Sequence, residues 1–263
     1  MNSMELLKPS RRRSQLSEIA HVVLNIGLAG VLLLVALYVN NLPLLVGIVL
    51  LGKWRVLAVR PRYWTTNIVA NTVDIIVGVG HAVLLYAATG QLWLQIALTL
   101  GFVVWLLFVK PRSKRLYVTA QALAAVFVGT TALSMLAYNT DPFVYVLGMW
   151  VIGYSFARHM LSTYEESYTK FYSLVWGVIL AEFGWLGYHW MFAYTLPNSA
   201  NFKLVQLALI VTLLSFLAER IYASYHKHKA VQASETLVPI AFSLGLVFVL
   251  IVFFNQITTG GTL

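Results

Sequence analysis

Long apolar stretches follow one another along almost the whole chain, separated by short polar segments. Most of them approach the roughly twenty residues that an α-helix needs to cross the hydrocarbon core of a bilayer. The pattern therefore predicts an all-α integral membrane protein, a polytopic bundle of about nine transmembrane helices that forms a single transmembrane domain over residues 1–263. The predicted spans lie at roughly 20–39, 42–58, 65–88, 91–109, 117–138, 142–158, 171–195, 203–222 and 237–255.

The second span is the least regular, because its apolar run LPLLVGIVLL is short and a Gly-Lys-Trp-Arg sequence follows it. A re-entrant or interfacial segment is the alternative. The basic residues favour a crossing, because an N-terminus inside then places all but one of the 18 lysines and arginines in inner loops. Only Lys203 lies outside. We therefore predict an N-terminus inside and a C-terminus outside, with Lys53 and Arg55 extending to the inner interface. The inner basic segments are 8–13, 53–62, 110–115, 158–170 and 220–229.

Composition narrows the possible partners. The chain is 60% hydrophobic and only 10% charged, too little charge for the surface of a soluble domain of this length. The net charge of +9 comes from short loops between spans, which is typical of membrane topology and not of a nucleic-acid-binding surface. These loops predict contact with anionic lipid headgroups, alongside protein partners that the sequence does not identify. Without cysteine, the chain has no disulfides or thiolate metal ligands, and we predict no cofactor.

Two carboxylates lie inside predicted spans, and each is followed seven residues later by a histidine. The pairs are Asp74 with His81 in the third span and Glu182 with His189 in the seventh. Seven residues are two helical turns less about 20°, so each acid shares a helix face with its histidine, about 10 Å away along the axis. The two spans run in the same direction, which places both acids near mid-bilayer and both histidines nearer the outside. Ionisable groups at such depth are costly, which makes them candidates for function.

The third span carries the most polar face of the chain. Asn67, Asn71, Asp74, Gly78 and His81 are spaced at i, i+4, i+7, i+11 and i+14, which forms one continuous stripe. We expect this stripe to face the interior of the bundle. One interpretation is a polar path for protons or a small solute, since carboxylates and histidines can take up and release protons. The other is that the stripe makes hydrogen bonds between helices and stabilises the bundle.

A metal site would need residues from both spans. An acid and its own histidine are too far apart on one helix to bind a single ion. An ion would therefore require His81 with His189, or Asp74 with Glu182, across adjacent helices. The prediction is no metal.

Two short strings resemble enzyme motifs. Residues 53–61 (KWRVLAVRP) resemble the K-x6-R-P motif of the type-2 phosphatidic acid phosphatases, but that family's P-S-G-H and S-R-x5-H-x3-D motifs do not follow. Residues 165–170 (EESYTK) and 185–189 (WLGYH) resemble the E-E-x-x-x-R and F-x-x-x-H motifs of the intramembrane CAAX-type proteases. Here lysine replaces the arginine, tryptophan replaces the phenylalanine, and no H-x-x-x-N motif follows. Either resemblance would imply an intramembrane hydrolase or transferase acting on lipid or peptide.

The leading hypothesis is a small-solute or proton-coupled transporter in the cytoplasmic (inner) membrane. Asp74 and Glu182 would bind protons or cations, and His81 and His189 would line the outer half of the path. The first alternative is a non-catalytic integral subunit that binds partners through its helices and basic inner loops. The second is the hydrolase or transferase, which needs an acid and a histidine within about 3–4 Å, directly or through water. The distance between the side chains of the third and seventh spans distinguishes these hypotheses.

Overall fold

A computed structural model describes residues 11–137, 140–190, 192–195 and 202–254. Within these ranges the protein is a bundle of nine α-helices with one small two-stranded sheet. The helices are α1 Arg11–Tyr38, α2 Leu42–Gly52, α3 Trp64–Ala87, α4 Leu92–Val104, α5 Arg115–Ala137, α6 Pro142–Leu161, α7 Thr169–His189, α8 Gln206–His228 and α9 Ala233–Phe253. The strands are β1 Ala193–Thr195 and β2 Lys203–Val205, and shorter turns are the 3-10 segments Trp54–Val56, Pro61–Tyr63 and Ser162–Tyr164 and the π-helical turn Trp105–Val109.

Seven of the described helices are long and apolar enough to cross a membrane on their own. The other two are α6, which has 20 residues but a less apolar sequence, and α2, which has only 11. The prediction of an all-α, polytopic membrane bundle is confirmed. The inside–outside orientation stays a prediction, and "inner" and "outer" below refer to it.

The helix α2 is half the length of a span. It starts level with the end of α3, where the Thr89 hydroxyl donates to Asn40 Oδ1 at 2.7 Å. The side chain of Asn41 caps its first turn by accepting the Leu44 N–H at 2.9 Å. At 1.5 Å per residue, α2 is about 16 Å long, roughly half the thickness of the hydrocarbon core. The helical part of the second span therefore ends in the middle of the bundle.

The chain continues from the end of α2 along the first half of α3 in an irregular conformation. Asn67 Nδ2 donates to the carbonyl of Val56 at 3.0 Å, and the indole N–H of Trp64 donates to the carbonyl of Val59 at 3.0 Å. The segment after Lys53 thus reaches the level at which α3 begins. The second span runs the full length of α3, as a half-helix followed by an extended segment with 3-10 turns.

Two cores meet at α5. Ala122 faces a cluster formed with α6, α7 and α8, in which Tyr145 is fully buried. Ala125 faces a second cluster, formed with α1 to α4, that contains Phe102. The helix α9 lies at the edge and packs on α8, where Gln206 Nε2 donates to the Leu250 carbonyl at 2.8 Å. Because α6 packs on both α3 and α7, it lies between the two helices that carry the acid–histidine pairs.

The seventh predicted span, 171–195, is too long at its C-terminal end. The helix α7 stops at His189, and Ala193–Thr195 instead pairs in antiparallel fashion with Lys203–Val205. The pairing hydrogen-bonds backbone groups that would otherwise need a continued helix. The outer connection before α8 is therefore partly a β-ribbon.

The eighth predicted span, 203–222, is displaced toward the inner side. The helix α8 begins only after β2 and continues to His228, so the basic residues expected in a loop lie on its last turns. Aromatic packing supports this extension, since the rings of Tyr222 and His226 lie 4.9 and 5.0 Å from that of Tyr164.

Some sequence predictions concern residues outside the described ranges. They are the basic residues before position 11, the location of both termini, and the ends of the fifth and ninth spans at 138 and 255.

Candidate functional site

Asp74 lies between two lysines in the half of the bundle that is formed by α1 to α4. Its Oδ2 contacts Lys53 Nζ directly and lies 3.0 Å from Lys110 Nζ. Lys53 is 9% exposed, Asp74 17% and Lys110 33%. With both lysines charged, two ammonium groups and one carboxylate give this cluster a net charge of +1. We call these three residues the lysine–aspartate cluster.

The break in the second span makes the cluster possible. Lys53 follows the last residue of α2, and its backbone N–H donates to the carbonyls of Leu50 and Leu51. Its side chain then runs past Gly78, where an added Cβ would lie 3.8 Å from Lys53 Cε and only 2.8 Å from Val49. Glycine at this position therefore leaves room for α2 and its terminal lysine against α3.

Lys110 is positioned by α5. It follows the π-helical turn that ends the fourth span. Gln121 Nε2 donates to the carbonyls of Val109 at 2.7 Å and Arg112 at 2.9 Å, which fixes the backbone on both sides of this lysine. His159 Nε2 in turn lies 2.9 Å from Gln121 Oε1. The end of α4 is thus held by side chains from α5 and α6.

The polar stripe of α3 faces the second span. Asn67 binds the Val56 carbonyl, and Asn71 Nδ2 donates to the Asn67 carbonyl at 2.8 Å. Backbone groups that leave a helix at membrane depth need such partners, because lipid offers none. His81, at the other end of the stripe, is only 4% exposed, and its ring stacks on Phe102 with centroids 4.1 Å apart. The stripe faces inward as expected. Its inner half, at Asn67 and Asn71, lies against the irregular backbone of the second span.

Glu182 and His189 are exposed on the lateral surface of the bundle. Trp185, between them on the same face, is 48% exposed and makes an edge contact with His189 at 4.8 Å. The opposite face of α7 packs against its neighbours, and its buried residues are Ser173, Gly177, Leu180, Gly184 and Gly187. A charged side chain at mid-helix therefore faces away from the core.

The two acid–histidine pairs lie in different surroundings. Asp74 and His81 lie in the half of the bundle that is formed by α1 to α4, whereas Glu182 and His189 lie on a surface beyond α6. No acid–histidine layers form between the third and seventh spans. Within the described ranges, no group of three or more histidine or acidic residues is arranged to hold a metal ion.

The motif residues of the two enzyme resemblances do not form a reactive pair. Glu166 precedes α7 and His189 ends it, so about 30 Å of helix separates them. Glu166 is bound instead to the Tyr222 hydroxyl. In the phosphatase-like string, Lys53 is directed into the lysine–aspartate cluster. The acid–histidine proximity that catalysis requires is not met by these residues.

The sequence interpretation missed the partners of Asp74. It placed Lys53 at the inner interface, but the side chain reaches a buried carboxylate instead of water. The available signal was that Lys53 and Lys110 each end an apolar run on either side of the third span. A half-length apolar run before Lys53 also indicated that this lysine would lie deeper than an ordinary loop residue.

A buried carboxylate at the inner end of the bundle was also missed. Glu219 on α8 is 1% exposed and accepts a hydrogen bond from the Tyr164 hydroxyl at 3.1 Å. Arg220 Nε lies 2.9 Å from its other oxygen, and the Arg115 guanidinium lies 4.1 Å above the Tyr164 ring. Burial and the nearby Glu219 charge raise the pKa of Tyr164 to about 12. This group joins α5, α8 and the turn after α6.

Comparison of the chain with protein-family models, with curated proteins and with solved structures finds no match. The fold and the apolar helices define the class of protein. It is an all-helical, membrane-embedded bundle with an internal charged cluster.

Proposed function

We propose that the protein transports a small anionic solute together with a proton across the cytoplasmic (inner) membrane. The lysine–aspartate cluster would bind both. The observation that carries this proposal is the contact of one carboxylate with two lysine ammonium groups at the break of the second span, which gives a net charge of +1 when both lysines are charged. An uncompensated charge at this depth is unfavourable, and one monovalent anion would neutralise it. Discontinuous helices near the bilayer middle are typical of solute sites in transporters.

Asp74 couples the proton to the solute. Its Oδ2 accepts from both ammonium groups, so it competes with any anion for them. Protonation of the carboxyl changes the charge of the cluster from +1 to +2 and strengthens anion binding. By linkage, a bound anion raises the affinity for the proton by the same factor. Solute and proton therefore bind together and leave together.

The cluster is more open toward one end of the bundle. Lys110 keeps a third of its side chain exposed at the start of the inner loop 110–114. On the outer side, Val49 and Val77 are buried and Val49 is in close contact with Gly78. This geometry supports an inward-open state. Movement at the break after α2, where the chain leaves helical conformation, would open the outer side.

The test is uptake by purified protein in liposomes that contain a pH-sensitive dye. Radiolabelled chloride, phosphate and lactate are the probes, offered with and without an inward proton gradient. We expect uptake of at least one anion to rise with the gradient and to acidify the lumen. Lys53→Gln and Lys110→Gln should each lower this uptake about tenfold, because each removes a charged hydrogen bond. The control Lys114→Gln removes an exposed inner charge and should leave uptake unchanged.

The proposal fails if none of the three anions accumulates under the gradient. It also fails if the two cluster variants transport at the rate of the Lys114→Gln control.

A second candidate function is supported by Glu182. A carboxylate on the lipid-facing side of α7 costs about 2.5–3.5 kcal/mol at mid-membrane unless a partner covers it. A membrane subunit with a lysine or arginine in one helix would supply that cover, and the basic inner loops would bind anionic headgroups beside it. Copurification in mild detergent tests this function. A specific partner should be lost in Glu182→Gln, whereas a purified monomer unaffected by the change contradicts it.

A further inference from the structure

A cavity of about 380 Å³ lies between α3, α4 and α5, on the outer side of the lysine–aspartate cluster. Its wall is apolar except for two aromatic side chains with nitrogen atoms, His81 and Trp105. His81 stacks on Phe102 with an angle of 12° between the rings, so two of the lining side chains are nearly parallel aromatic rings. The volume falls within the range of small-molecule sites in proteins.

Two buried nitrogens in this wall lack hydrogen bonds. Among the described residues, neither His81 Nε2 nor Trp105 Nε1 has a partner, although the side chains are only 4% and 7% exposed. Buried polar atoms are nearly always bonded. An indole N–H is a donor only, and an imidazole nitrogen can donate, so both nitrogens can be satisfied by an oxygen acceptor.

The residues that carry the two nitrogens are attached to the backbone at different heights along the bundle. His81 is six residues before the end of α3, and Trp105 is thirteen residues after the start of the antiparallel α4. The two helix ends are joined by a short turn, so the two residues are about 10 Å apart along the bundle axis. A ligand that accepts a hydrogen bond from each of the two nitrogens therefore needs two acceptor atoms, one on each side of a small central group.

The mouth of the cavity faces the lipid. Ala97 and Gly101, one turn apart on α4, line it and are exposed. A Cβ built on Gly101 meets no atom within 4 Å. Both residues are in the middle of an apolar span, so a ligand enters from the bilayer and must be lipid-soluble. A neutral molecule fits this route, because charge is costly in hydrocarbon.

We infer that the cavity binds a flat, neutral, lipid-soluble molecule with a hydrogen-bond-accepting oxygen on each side, of the quinone class. His81 and Trp105 would donate to the two oxygens, and Phe102 and the apolar wall would contact the ring. This inference is independent of anion transport, since none of these residues belongs to the lysine–aspartate cluster.

The test measures saturable binding of radiolabelled decylbenzoquinone to the full chain in quinone-free lipid nanodiscs, with empty nanodiscs as background. Trp105→Phe and His81→Phe each remove one hydrogen bond and keep an aromatic ring. Each should weaken binding about five- to tenfold. Gly101→Leu adds a side chain at the mouth, where its Cβ meets no atom within 4 Å, and should abolish saturable binding. Gly245→Leu, the same change at an exposed glycine of α9 with open space around it, should bind as the unmodified chain does.

Three results would overturn the inference. One is the absence of saturable binding above the empty nanodiscs. Another is unchanged affinity in both Trp105→Phe and Gly101→Leu. The third is competition by decanol as strong as that by decylbenzoquinone, because decanol has the tail without the two acceptors. Thermal unfolding of each variant separates a lost site from a lost fold.

Discussion

The middle of α3 and the middle of α7 each carry one carboxylate, but the surroundings of the two carboxylates are opposite. Asp74 is enclosed and bound by Lys53 and Lys110, whereas Glu182 faces outward. The neighbouring helix makes the difference. The short helix α2 ends beside α3 and leaves a lysine at the level of the acid. Around α7 the neighbours approach closely on one face, and Glu182 is on the other.

Glycine determines which face of α7 is packed. The backbones of α6 and α7 approach at Gly153, where an added Cβ would lie 2.8 Å from Leu180 Cβ and 3.2 Å from Gly177 Cα. Such an approach is possible only because Gly153 has no side chain. Glu182 is two residues beyond Leu180, on the far side of the helix. An acid and a histidine on one helix face therefore do not determine whether that face packs in the bundle or lies on its surface.

The largest expected effect is that of Asp74→Asn. The change leaves two ammonium groups close together with no carboxylate, which should lower the free energy of unfolding by about 3–5 kcal/mol. The matched change Glu182→Gln removes a charge that has no partner among the described residues of the bundle and should not lower it, because that charge is itself unfavourable at mid-membrane. Unfolding of both variants in mixed micelles measures the difference. Equal losses for the two acids would remove the distinction between their environments.

A smaller loss is expected from Gly153→Ala. The new methyl group meets Leu180 and the Trp176 carbonyl at 3.0 Å, so α6 and α7 must separate. Overpacking of this kind costs about 1–3 kcal/mol. The same unfolding measurement applies, with Gly245→Ala on α9 as the control, where alanine should be neutral or slightly stabilising. If Gly153→Ala behaves like its control, then α7 does not pack through its glycine face.

The smallest expected effect is that of Tyr222→Phe, which removes the neutral hydrogen-bond partner of a third acid, Glu166. The Tyr222 hydroxyl donates to it and holds the pKa of this glutamate below its ordinary value of 4.5. A lowered pKa stabilises the fold above the ordinary value, and the stabilisation is lost as the pH falls through the lowered one. Tyr222→Phe should therefore be less stable than the unmodified chain at neutral pH, with the difference shrinking in acid. A pH series of unfolding curves checks this, with the exposed Tyr225→Phe as control.

Much of the fold was predictable, because helix length and hydrophobicity are local properties of the sequence. The basic residues indicated that the short second segment runs the full length of the third. The inward direction of the stripe from Asn67 to His81 was predictable as well, since lipid does not solvate amides. The lysine–aspartate cluster was not, because its formation depends on where α2 ends relative to α3. The burial of Glu219 was not predictable either, because it depends on the packing of α5 against α8.

The outward direction of the Glu182 side chain could have been predicted from the sequence. The buried face of α7 repeats the spacing of the α3 stripe, and all of its residues except Leu180 are small: Ser173, Gly177, Leu180, Gly184 and Gly187. A face of small residues favours close helix contact in membranes. Glu182 lies outside that face. The helical periodicity that places it on the same face as His189 also places it away from the core.

A double-mutant cycle between Asp74→Asn and Lys53→Gln tests the enclosure of Asp74 most directly. We predict a coupling energy in the free energy of unfolding of at least about 1.5 kcal/mol, because removing the lysine relieves the excess positive charge left by Asp74→Asn. The parallel cycle between Glu182→Gln and Lys53→Gln should be additive within about 0.5 kcal/mol. Additive effects of Asp74→Asn and Lys53→Gln would contradict the account.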